Sequence, residues 1–154
     1  MNGFSQALGT KFNKDALRTR SFEFNGHTFK VRVPLTAESD AMFERLKTAD
    51  DAAVEKFYKE LSKDFTESSD TVQVTDNDVI IDGRSLREAA KSKVLIQARV
   101  TEMIRLLVPE EEGFDMSTVT YDMVDELFPF AIQMQLMELI GETVSPNYNT
   151  TKGK

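Results

Sequence analysis

Cysteine is absent from this sequence, tryptophan is absent, and histidine occurs once. Without cysteine there is no disulfide framework, no thiol nucleophile and no thiolate metal site. With His27 as the sole imidazole, Ser-His-Asp and Cys-His arrangements lack a second candidate base, and an HExxH zinc motif is impossible. The seven glycines are scattered and form neither G-x-G-x-x-G nor G-x-x-x-x-G-K-[ST], so the familiar phosphate cradles are missing. G-x-S-x-G and S-x-x-K are also absent. No run approaches the roughly 18 apolar residues of a membrane helix. The opening MNGFSQALGTKFNKDALR has no continuous apolar core of a secretory signal. These absences predict a protein of the cytoplasm with no membrane partner, no metal and no cofactor.

What remains is acidic. The 154 residues carry a formal net charge of −7, with 40% hydrophobic and 29% charged residues, enough apolar content for a packed core. The charge is uneven. Residues 1–34 hold six Lys/Arg against two Asp/Glu, whereas residues 35–154 hold thirteen against twenty-four. An acidic body repels a phosphate backbone, so nucleic acid is not an expected partner. The length and the distribution of polar residues predict a basic arm over 1–19, one domain over 20–145, and a loose tail over 146–154.

The clearest local signal is RSFEFNGHTFKVRV, residues 20–33. Asn25-Gly26 favours a type I′ turn, whose two central residues both need positive φ. A two-residue loop sets Phe24 opposite His27 and Phe22 opposite Phe29, placing Phe22, Phe24, Phe29, Val31 and Val33 on one face. Thr36 is the expected cap of a helix over about 37–48, with Met42, Phe43 and Leu46 as its apolar stripe. A second helix is expected from Asp50 or Asp51 to about residue 64, with Val54, Phe57, Tyr58, Leu61 and Phe65 inward. Residues 72–82 read as a second hairpin turning at Asp76-Asn77 and ended by Gly83.

Ser85-Leu-Arg-Glu88 is a capping box. It opens a helix expected over about 86–108, stopped by Pro109. Leu95 and Leu106 project onto its polar face. After an acidic loop over 110–119, a helix is expected over about 121–128, broken at Phe128-Pro129-Phe130. The last helix, about 130–142, is apolar over roughly 220° of its circumference, more than one packing contact needs. Gln133 alone among its polar residues lies away from the polar side. The predicted class is α+β, with two short hairpins, about five helices and a helix-rich C-terminal half.

Asp76, Asp78 and Asp82-Gly83 superficially resemble a calcium loop, but the spacing puts Ile80 at the third ligand position. Glu110-Glu111-Glu112 is the densest acid cluster and reads as a solvated loop. A paired-carboxylate hydrolase is the remaining enzymatic alternative. The surplus apolar surface points elsewhere. Phe128, Phe130, Met134, Met137 and Ile140 form the candidate partner-binding surface, with Leu95 and Leu106 as a second small patch.

The stretch SFEFNGHTFKVRVPLTAESDAMFERL resembles the opening of tail assembly chaperones of long-tailed bacteriophages. In that family a short Phe-rich hairpin precedes a polar-capped helix in a small acidic protein. The final Thr-Lys-Gly-Lys is compatible with the ribosomal slip by which such proteins also yield a longer product. The resemblance implies a non-enzymatic chaperone of the host cytoplasm. It would keep the tape measure protein soluble and recruit tail tube subunits, with homo-oligomers possible. A structural subunit of a phage tail or head–tail connector is the alternative expectation.

Overall fold

The computed structural model describes residues 3–9, 11 and 13–145. The tail expected over 146–154 lies outside the described residues. The elements run α1 (Gly3–Ala7), α2 (Lys14–Arg18), β1 (Thr19–Phe24), β2 (His27–Arg32), α3 (Thr36–Leu46), α4 (Asp51–Ser62), β3 (Val72–Val74) and β4 (Val79–Ile81). They continue through β5 (Arg84–Ser85), α5 (Leu86–Ile104), β6 (Leu107–Val108), a 3-10 turn (Met116–Thr118), α6 (Tyr121–Leu127) and α7 (Phe130–Val144). The class is α+β, with two three-stranded antiparallel sheets. Contacts group the chain into two compact units, residues 1–39 with 100–154 and residues 40–99. The sequence predicts one domain over 20–145. The unit boundaries fall inside α3 and α5, where no linker composition marks them.

The first unit is built on the Asn25-Gly26 hairpin. Asn25 has φ 51° and Gly26 has φ 79°, the positive values a type I′ turn requires. The register is the expected one, with Phe22 opposite Phe29 and Phe24 opposite His27. The Phe22 and Phe29 rings stack with centroids 5.3 Å apart. Val31 is fully buried, and Phe22, Phe24 and Phe29 are half-buried on its face. Glu23, Thr28 and Lys30 on the other face are exposed.

Two helix boundaries depart from expectation. α3 begins at Thr36, so Thr36 is its first residue instead of its cap. Glu38 reaches back and accepts a hydrogen bond from the Leu35 N–H at 3.0 Å, the reciprocal half of a capping box. Glu38 also accepts from Arg18 at 2.5 Å and Arg32 at 2.6 Å. The backbone bond and the two guanidinium groups, opposed by desolvation, hold its carboxyl below the usual range. The second departure is at α5, which stops at Ile104 although the apolar pattern continues to Leu107. Leu106 donates to the Met103 carbonyl in a tightened last turn, and Arg32 donates to the Leu106 carbonyl at 2.8 Å. Residues 107–108 then pair with β2, giving the strand order β1-β2-β6. The free edge of β2 has backbone groups that need partners, and this demand overrides helical propensity.

The core of this unit is Val31, Val100, Ile104, Leu106, Val119, Val124, Leu136 and Ile140. β2, α5, α6 and α7 all contribute. Leu106 is 6% exposed and Ile140 is 0% exposed. The partner-binding role expected for these two residues is therefore corrected. Leu106 never reaches the polar face of a helix because the helix has already ended.

In the second unit, Val54 of α4 packs with Ala90 and Val94 of α5, and Phe57 and Tyr58 lie against them. Asp50 caps α4, accepting from the Ala53 N–H at 3.0 Å. Arg87 sits 4.0 Å above the Tyr58 ring and donates to Glu55 at 2.6 Å. The expected α3 stripe holds in part, since Met42 is buried whereas Phe43 is 58% exposed.

The second hairpin pairs Val72 with Ile81 and Val74 with Val79, as expected. Gly83 does not end it. Asp82 (φ 52°) and Gly83 (φ 81°) form another tight turn, which adds β5 opposite β4. The turn delivers the chain directly into α5, where Ser85 accepts from the Glu88 N–H at 3.0 Å. Asp78 holds this junction. Its carboxylate accepts from the Val79 N–H at 2.8 Å, the Arg87 N–H at 3.0 Å and the Ser85 hydroxyl.

Candidate functional site

The most distinctive local construction is the corner between α6 and α7. Thr120 opens α6, its hydroxyl accepting from the Met123 N–H at 3.4 Å. Phe128 closes it in an extended conformation (φ −125°, ψ 127°), still donating to the Val124 carbonyl at 2.9 Å. Pro129 permits this because the residue before a proline disfavours helical geometry. Its carbonyl starts α7 by accepting from the Gln133 N–H at 3.0 Å.

Gln133 locks the corner. It is 0% exposed, yet its amide is well occupied. Its Nε2 donates to Asp125 Oδ1 at 3.1 Å and to the Phe128 carbonyl at 2.9 Å, and its Oε1 accepts from the Tyr121 hydroxyl at 2.8 Å. One side chain of α7 thus binds the first residue of α6, its fifth residue and its C-terminal cap. Burial pushes the Tyr121 phenol pKa up and the Gln133 bond opposes it, while the charge of Asp125 adds to the rise, so Tyr121 stays a donor at neutral pH. Among the described residues, no buried side-chain nitrogen or oxygen lacks a partner.

This corner presents apolar groups outward. Leu127 is 71% exposed, Phe130 54% and Met123 43%. Met123 and Leu127 are one helical turn apart on α6. Val124 is buried from the same short helix, with Tyr121 and Phe128 packed beside it. The outward pair and the inward group differ by roughly a hundred degrees on a wheel that advances about 100° per residue. Asp122 and Glu126 flank the outward pair and are exposed. Residues 106–151 contain nine Asp/Glu and not one Lys or Arg, and the basic groups bonded to this stretch, Arg105 at the Val119 carbonyl and Arg20 at the Thr143 carbonyl, come from outside it.

The seven residues expected to bind partners separate sharply. Phe130 alone is well exposed. Phe128, Met134 and Met137 are partly buried against the core, and Ile140 and Leu106 are sealed within it. Leu95 is half-buried and belongs to the second unit. The breadth of the α7 apolar arc is explained mainly by burial: Ile132, Leu136, Met137, Ile140 and Val144 all meet the core. Met123 and Leu127 are exposed apolar residues that the sequence analysis does not single out. Their signal was the pair of apolar stripes on a seven-residue helix.

The unit also carries a groove of about 740 Å³ lined by His27, Phe29, Lys30, Val108, Glu110 and Met116, among others. His27 meets the Phe29 ring edge-on at 4.6 Å, and its Nε2 lies 4.0 Å from Glu110 Oε1. Both side chains are largely exposed, at 54% and 85%. A contact this long between two exposed side chains is weak. Among the described residues, no group of three or more His, Asp or Glu is placed to hold a metal ion, and no helix is long and apolar enough to cross a membrane. No protein-family model, curated protein or solved structure matches this chain.

Proposed function

We propose that the chain works by binding other proteins, without catalysis, and that Met123, Leu127 and Phe130 form the face that does so. The observation that carries this reading is the exposure of three large apolar side chains on a corner that buried hydrogen bonds make rigid. Burying a large apolar side chain from full exposure is worth about 1.5–3 kcal/mol. Three half-covered ones leave a few kcal/mol for a partner, which suits reversible association better than a permanent complex. The partner chemistry follows from the surroundings. An amphipathic helix with Lys or Arg beside its apolar stripe would match both the face and its acidic border.

The likeness of residues 21–46 to tail assembly chaperones supports a specific occupant. In this reading the chain holds the apolar stripes of a phage tape measure protein in the host cytoplasm until tail tube subunits assemble around it. A longer frameshifted product would recruit the tube subunit. A structural subunit of a tail or connector is the second reading, favoured by the exposed Leu8 and Leu17 of the basic arm. Stable rings of the isolated protein would decide for it.

Co-expression with the tape measure protein, followed by pull-down, tests the first reading. The partner should be soluble with the chain and aggregate without it. Leu127→Asp should reduce capture, because the side chain is exposed and its replacement leaves the core intact. A tape measure protein whose solubility is indifferent to the chain would remove the chaperone reading.

A further inference from the structure

The arm and the α6–α7 corner are complementary. The arm displays Leu8 (49% exposed) and Leu17 (70%). Between residues 3 and 18 the sequence has Lys11, Lys14 and Arg18 against the single acid Asp15. The corner displays Met123, Leu127 and Phe130 within a stretch of 46 residues that has no basic side chain. One chain thus contains both a basic segment with open apolar groups and an acidic face with open apolar groups. In the single chain neither covers the other.

The base of the arm is fixed. The Val33 N–H donates to the Arg18 carbonyl at 2.5 Å, and Arg18 Nε donates to the Val33 carbonyl at 3.3 Å. Arg18 also donates to Glu38. These bonds tie the end of α2 to the end of β2, so the arm leaves the unit at a defined point. Beyond it, Gly9 adopts φ 109°, a conformation that separates α1 from the residues that follow.

We infer that residues 3–18 of a second copy of this chain dock on the face of Met123, Leu127 and Phe130. This rests on the reading of that face given above. Leu8 and Leu17 supply the apolar contacts, and Lys11 meets Asp122 and Glu126. Reciprocal exchange of two arms closes a two-fold dimer. A dimer of this kind covers the sticky face until a larger partner displaces the arm, so free protein would be stored with its binding surface hidden.

Sedimentation velocity of the full chain over ~5 to ~300 µM tests the inference. The chain should dimerise, and raising salt from ~50 to ~500 mM should weaken the dimer, because the charges involved are exposed. Leu127→Glu and the double variant Leu8→Glu/Leu17→Glu should each associate about tenfold or more weakly. Circular dichroism should show both folded, as expected for side chains mostly in water. The decisive measurement is their mixture. One variant keeps its arm and the other keeps its face, so an equimolar mixture should recover association that neither shows alone. A chain that stays monomeric throughout, variants that dimerise normally, or a mixture no better than its parts would each overturn the inference. The capture of tape measure protein is a separate readout. A monomer that still captures it sinks the arm exchange alone, and a dimer that never captures it sinks only the chaperone reading.

Discussion

Replacing Gln133 should loosen the corner that carries the candidate face, and the size of the effect follows from its bonds. Gln133→Leu keeps the volume roughly but deletes two donated hydrogen bonds and one accepted one. Each is worth about 1 kcal/mol net. Asp125 is exposed and can turn to water, and Tyr121 is half-buried and can do so in part. The added apolar group recovers some burial. A destabilisation of about 2–3 kcal/mol results, equivalent to a melting-temperature drop of roughly 5–10 °C for a chain of this size. Gln133→Glu is the sharper variant. It is isosteric, but both N–H donors become an oxygen facing Asp125 and the Phe128 carbonyl. A buried carboxyl so placed has a raised pKa, so its penalty should be larger than that of leucine at neutral pH and should shrink as pH falls toward ~4. Urea unfolding followed by circular dichroism measures the total. Amide exchange along α6 and α7 shows whether the loss lies at the corner, which matters because two compact units need not unfold together. If Gln133→Leu unfolds within about 0.5 kcal/mol of the unmodified chain, with unchanged exchange, the network does not hold the corner and the rigidity argument fails.

Ile140→Ala should cost about 2–5 kcal/mol in urea unfolding, because Ile140 is fully buried, whereas Phe130→Ala should change stability by less than about 1 kcal/mol and lower partner capture instead. The Asp78 carboxyl pKa is lowered. Desolvation pushes it up, but the Ser85 hydroxyl, the Arg87 and Val79 N–H groups and the Arg87 charge together outweigh that. A depressed pKa gives stability that is fully present above the ordinary value of 3.8 and is lost as pH falls through the lower folded value. Acid titration of the second unit, read by amide exchange in β4 and α5, should show that loss, and Asp78→Asn should flatten it while weakening the unit at neutral pH.

Local signals were legible where one short-range rule decides the outcome. Asn25-Gly26 specified its turn and register, Asp50 capped α4, and Pro129 broke the chain where expected. Where two rules compete, the sequence pattern misleads. Leu106 and Leu107 continue a helical stripe, but an open strand edge more than seventy residues earlier takes them out of the helix. Asp82-Gly83 has the same turn chemistry as Asn25-Gly26. The sequence marks it only as a terminator, because β5 is two residues long and has no alternating pattern. The division into two compact units left no trace in composition, since its boundaries run through α3 and α5.

Most of the apolar residues that the sequence offers as a binding surface are buried. Breadth of the apolar arc is a sound signal of surplus surface, but it cannot distinguish a central helix from a sticky one. α7 is central: its arc is consumed by β2, α5 and α6 around Leu136 and Ile140. A short helix is different. Seven residues have room for one buried stripe, and α6 spends that on Val124 with Tyr121 beside it. Any further apolar residue on so short a helix must face outward. Met123 and Leu127 do, and Phe130 follows just past the proline. Exposed leucine scattered singly needs no explanation. Two apolar groups one turn apart, bordered by acids and braced by a fully buried glutamine, differ because the hydrogen bonds of Gln133 tie α6 to α7 and hold the pair where it is.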